Sequence, residues 1–158
     1  MGTNHMGRQS IRFPQPPVVR GFASVAGKKE REGPLGDQFT ATVQDTTFGE
    51  KSWEQAERRM QQMTLELALE KAGLTDADLD AAFAGDLLNQ CIGSSFSLRN
   101  RGVPTLGLYG ACSTMAESLL LAAMSVSGGF ARTALAMTSS HFASSERQYR
   151  FPLGYGGQ

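Results

Sequence analysis

The chain has 158 residues, with 15 acidic and 15 basic side chains and 41% hydrophobic residues. That length reads as one domain with room for a core, and the balanced charge gives no net field to draw it to nucleic acid or an anionic membrane. No apolar run approaches the roughly 20 residues needed to span a bilayer, the polar Met1 to Gln9 stretch has no signal-peptide core, and two separate cysteines, Cys91 and Cys112, give neither a disulfide framework nor a metal site and fit a reducing compartment.

Residues 1–17 read as an N-terminal extension, and 18–158 as the domain. Residues 17–26 mix β-branched and small side chains and predict a first strand running into a glycine turn. Residues 27–51 have no periodicity and begin with a charged, turn-rich run, Lys28 to Gly36, read as a long loop. A loop of that length serves function, forms an interface or is simply solvated.

Ser52 as N-cap with Gln55 three residues on predicts a helix start. Trp53, Ala56, Met60, Met63 and Leu67 then form one apolar stripe, with Glu54, Glu57, Arg58, Arg59 and Gln62 assigned to the other faces. Gly73 ends that helix and Thr75 with Asp78 caps a short turn. Asp80 to Gly85, small and apolar, predicts a strand buried on both faces. Ile92 to Asn100 predicts a short helix and Thr105 to Tyr109 a short strand. Residues 113–127 predict a helix that is apolar nearly all round, which belongs inside a larger core and calls for a further layer, a partner subunit or a second half. Arg132 to Ser139 predicts another strand, and Ser140 to Gln158 no regular element. The alternation implies an α/β fold with a mostly parallel sheet.

Cys112 lies at the first turn of the apolar helix. Unpaired amides and the helix dipole there favour a thiolate and an oxyanion, whereas a buried cysteine is also a common small filler. Asp86 and Asn89 follow a strand, where α/β sheets bind ligands, and are equally suited to capping the next segment. His141 is either a ligand contact or an ordinary loop histidine. Arg147 and Arg150 have the fork geometry that grips carboxylates, or are solvated.

The turn Gly110-Ala-Cys112-Ser-Thr-Met-Ala-Glu117 resembles the nucleophile turn of thiolases and ketoacyl-carrier-protein synthases, and Ala68 to Gly85 resembles the helix–turn–strand that precedes it. Lys28 to Gly36, Lys51 to Glu57, Ala84 to Gln90, Gly110 to Thr114, Thr138 to His141 with Glu146 to Gln148, and Tyr155 to Gln158, all in order, resemble the stage V sporulation protein AD family. The resemblance runs from about residue 18 to the end. It implies the N-terminal half of a thiolase-like fold, layered about a central buried helix, with no cofactor. It also implies a non-catalytic protein of spore-forming bacteria that binds dipicolinic acid (pyridine-2,6-dicarboxylic acid) and aids its uptake with other stage V A proteins, in the cytoplasm or peripherally at the spore inner membrane. In that reading Asp86, Asn89, Cys112, Ser113, His141 and Arg147 line the pocket, and Arg132 to Ser139 pairs two copies into a homodimer. The alternatives are an acyltransferase with Cys112 as nucleophile, whose activating base would come from a C-terminal half, and a structural half-domain that needs a partner chain.

Overall fold

The computed structural model describes residues 4–155, with side chains placed through Tyr149. The chain opens with a small exposed antiparallel ribbon, β1 (His5–Met6) against β2 (Ser10–Ile11). β3 (Val25–Gly27) pairs in parallel with β4 (Ala41–Val43), and the four-residue helix α1 (Lys28–Arg31) lies between them. The 17–26 region is therefore extended only at its last residues, and its strand joins β4 instead of the main sheet. The 27–51 run is less irregular than its composition implies. Just ahead of β3 and β4, Ser24 and Thr40 are stitched by reciprocal bonds, Ser24 N–H to Thr40 Oγ1 and Thr40 N–H to Ser24 Oγ, each 3.2 Å.

Helix α2 (Trp53–Ala72) starts as expected, with Ser52 Oγ accepting the Gln55 amide at 3.3 Å. It ends at Gly73 in the left-handed region, φ 66°, where glycine carries no Cβ penalty. The amides of Gly73 and Leu74 return to the carbonyls of Glu70 and Leu69, closing the orphan acceptors of the last turn. Thr75 and Asp78 cap each other across the following turn. The buried face of α2 is not the predicted methionine stripe. Ala56, Glu57, Gln61 and Leu65 are buried, while Met60, Met63 and Leu67 are half-buried. Glu57, assigned from sequence to solvent, is fully enclosed, because residues four apart stack on one side and Glu57, Gln61 and Leu65 share that side.

The main sheet is parallel, in the order β6-β5-β7, built from β5 (Ala81–Gly85), β6 (Thr105–Leu108) and β7 (Ala134–Thr138). β5 is central, which suits its small, unalternating residues. Ala82 and Ala84 pack with Leu65 of α2, Leu98 of α3 (Ile92–Leu98), and Met137 into the core. α4 (Thr114–Ser127) contacts β5 and β7. It buries only Thr114, Ser118 and Ala122, and its leucines and methionines stay half-exposed. Its predicted all-round burial is thus not met by the described residues. The last element is a helix, α5 (Phe142–Tyr155), where sequence suggested irregular chain. Packing of its serines against α2, described below, overrides a weakly helical composition. Residues 156–158, and the side chain of Arg150, lie outside what the structure describes.

Candidate functional site

Beyond β6 the chain turns sharply into α4. The Gly110 amide donates to Thr114 Oγ1 at 3.1 Å, and the Ser113 hydroxyl donates back to the Gly110 carbonyl at 2.7 Å. Ala111 is held at φ 50°, a left-handed conformation that a residue with a Cβ rarely adopts. Strain of this kind persists only where the surroundings enforce it, and it gathers at functional sites. The next residue is Cys112, exposed, in the wall of a cleft of about 1040 Å³.

Five elements build that cleft. β3 and its approach supply Ser24 to Gly27, α2 supplies Met60, Gln61 and Thr64, and the C-terminal end of β7 supplies Thr138 to Ser140. α5 contributes Phe142, Ser145, Glu146 and Tyr149, and Met115 of α4 closes one side. The position beyond the carboxyl ends of parallel strands is where open α/β sheets hold ligands. The phenolic hydroxyls of Tyr109 and Tyr149 both reach the Leu87 carbonyl, at 3.4 and 3.3 Å. The neighbouring Tyr109 hydroxyl, which favours the neutral phenol, and then burial raise the Tyr149 phenol above its ordinary range.

Behind the wall runs a buried polar network. Glu57 accepts the Ser139 hydroxyl at 2.6 Å and the Ser144 hydroxyl in a very short bond. Gln61 donates from Nε2 to Ser139 Oγ at 2.6 Å and to Ser94 Oγ at 3.3 Å, and its Oε1 accepts Ser97 Oγ at 2.7 Å. Ser94 in turn gives its amide, at 2.7 Å, and its hydroxyl, at 2.5 Å, to Asp86 Oδ2. Burial pushes the Glu57 carboxyl above the usual glutamate range; the two serine hydroxyls and His141 pull it back, and the charge of Asp86 adds to the upward push. The network ties α2, α3, α5 and the end of β7 into one frame around the cleft.

Of the six residues singled out from sequence, Cys112 alone lines the cleft. Ser113 holds the turn beneath it. Asp86 is buried and fully engaged, accepting the amides of Leu88, at 2.9 Å, and Ser94 along with the Ser94 hydroxyl, so it caps α3. Asn89 is exposed, and its amide donates to Gln148 Oε1 at 2.8 Å. His141 donates from Nε2 to the Thr46 carbonyl at 2.8 Å and packs its ring against Trp53 and Phe48. Arg147 pairs with Glu54 at 3.5 Å on the surface. Sequence reasoning missed Glu57, Gln61, Ser139, Ser144 and Ser145. The four-residue spacing of Glu57, Gln61 and Leu65 was the available signal, because it places two polar groups on the stripe that a buried leucine continues.

The model of the family described as Stage V sporulation protein AD matches residues 7–158. Stage V sporulation protein AD of Bacillus subtilis (strain 168) is 45% identical over 152 residues, a match covering 96% of this chain and 45% of that protein. The chain therefore spans less than half the length of the curated relative it matches. With nearly all of its residues inside the family match, the chain belongs to the stage V sporulation protein AD family.

Proposed function

We propose that this chain is part of a thiolase-like protein that binds dipicolinic acid and aids its uptake into the developing spore. In this proposal it acts with other stage V A proteins, peripherally at the spore inner membrane; among the described residues no helix is long and apolar enough to cross a membrane. The observation that carries the reading is the Cys112 cleft in a chain of this family. Its size is that of a small-molecule pocket. Phe39, Met60, Met115, Phe142 and Tyr149 offer flat or flexible apolar surface to a pyridine ring, and serine hydroxyls offer hydrogen bonds to its carboxylates. Neither lysine nor arginine is among the described residues that line the cleft, which carries Glu30 and Glu146 instead. A bare dianion is disfavoured there, so the ligand binds protonated or with a cation between its carboxylates.

His141 is committed to the Thr46 carbonyl, so an acyltransferase built on Cys112 would take its base from the C-terminal half. The homodimer belongs to the same proposal: β7 is an outer strand, and its far edge offers ladder groups to a second copy. Alkylation of Cys112 by iodoacetamide, followed by mass spectrometry, tests the reading. Dipicolinic acid is expected to protect Cys112 in a saturable way, and incubation with acetyl-coenzyme A to leave it unmodified. An acetylated Cys112 would establish the acyltransferase alternative, and alkylation indifferent to dipicolinic acid would remove the ligand from this cleft.

A further inference from the structure

The Glu57 carboxyl stands directly behind Ser139, a wall residue of the Cys112 cleft. The Ser139 hydroxyl donates to Glu57 Oε1 at 2.6 Å, and Gln61, also in the wall, donates to the same hydroxyl oxygen at 2.6 Å. Glu57 is fully enclosed, and among the described residues no lysine or arginine pairs with it; Arg58 and Arg147 pair with Glu50 and Glu54. Asp86 favours its protonated form and His141 its ionised form, while Glu30 and Glu146 add negative charge to the cleft itself.

The surroundings of Glu57 accommodate both charge states. When it is ionised, Ser139 and Ser144 both donate to it. When it is protonated at Oε2, that proton goes to Ser144 Oγ, and the Ser144 hydroxyl turns to the His141 carbonyl 2.9 Å away. Both arrangements satisfy every polar group at the carboxyl. A carboxyl with a ready set of hydrogen bonds for each state changes charge without breaking the frame, and in a wall shut off from water its charge is felt strongly in the cleft.

We propose that ligand binding in this cleft is coupled to protonation of Glu57, so that a carboxylate-bearing ligand enters as a proton from solvent settles on the Glu57 carboxyl. An anion in the cleft is repelled by ionised Glu57 and not by neutral Glu57, so ligand and proton each raise the affinity for the other. The inference rests on the cleft being the dipicolinic acid site proposed above, and it gives that site a pH dependence. Affinity is highest where free Glu57 already holds its proton and falls as pH rises through the range in which it loses it.

The test is calorimetric titration of dipicolinic acid, without added metal ions, across pH in two buffers of different ionisation enthalpy, which counts the protons taken up per ligand bound. Protons carried by the ligand enter the counts for the unmodified chain and for Glu57→Gln alike. The unmodified chain is expected to take up about half a proton more than Glu57→Gln where the difference peaks, and its affinity to fall there about threefold more per pH unit. Carboxyl 13C NMR of the glutamate-labelled, unmodified protein reads the same event without a substitution. The titration of the buried glutamate is expected to move to higher pH when dipicolinic acid saturates the cleft. Equal proton counts in a folded Glu57→Gln, or a glutamate titration that dipicolinic acid leaves unmoved, overturns the coupling and leaves the proposed function standing. Absence of binding heat at every pH removes the proposed function and the coupling with it.

Discussion

Glu57 receives hydroxyl groups from the end of β7 and from α5 while it is shut off from solvent, so its proton is linked to the stability of the cleft frame. Its folded pKa lies above its unfolded value, with burial the largest cause. The folded state therefore holds this proton after the unfolded chain has lost it. The contribution of Glu57 is full below the unfolded value, about 4.3, and declines as pH rises through the window up to the raised folded value. Chemical denaturation across pH should show this decline, and Glu57→Gln should flatten it. Glu57→Ala should instead lose about 3 kcal/mol at low pH, and less as pH rises, because Ser139 and Ser144 are left without their acceptor. Cys112 was legible at this scale because its turn carries a local signature. Glu57 was not, because a glutamate flanked by arginines reads as solvent-facing until the side of the helix that packs is known, and Trp53 with the methionines mimicked a stripe one position away.

At the scale of elements, the starts and stops were readable where one or two residues decide them. Ser52, Gly73, and Thr75 with Asp78 sit where their chemistry places them, and β5 is buried as its small residues require. α5 was not readable, since its helicity comes from contacts with α2, including Ser144 with Glu57, which lie 87 residues apart in sequence. The joint between β5, β6 and α4 gives a sharp test. A Cβ on Gly85 would run into the Leu108 carbonyl oxygen of β6 and the Thr114 methyl at the head of α4. Gly85→Ala should therefore destabilise by about 1–3 kcal/mol, read as a lower urea midpoint with unchanged slope. An undisturbed midpoint would mean that the turn carrying Cys112 is not wedged against the sheet.

For the whole molecule, the largest open question raised by the sequence was where the apolar α4 belongs. Leu119, Leu120 and Met124 remain 45–48% exposed, and a groove of about 700 Å³ runs beside α4, between the Val18 to Phe22 segment, α2 and β7. Apolar surface of this extent marks an interaction face, and the family relative carries more than half of its length outside the match. The apolar character of α4 was thus legible from its composition, and the described residues bury only Thr114, Ser118 and Ala122 of it. The parallel sheet was legible from the alternation of elements, whereas the separate β3–β4 pair was not, because strands of three residues leave too little pattern. The central claim, that the cleft beside Cys112 holds dipicolinic acid, is tested most directly by calorimetric titration of that compound into this chain and into its Cys112→Ala variant. The account predicts saturable binding, weakened about tenfold in the variant, and an absence of binding heat, or equal affinity in the two proteins, would contradict it.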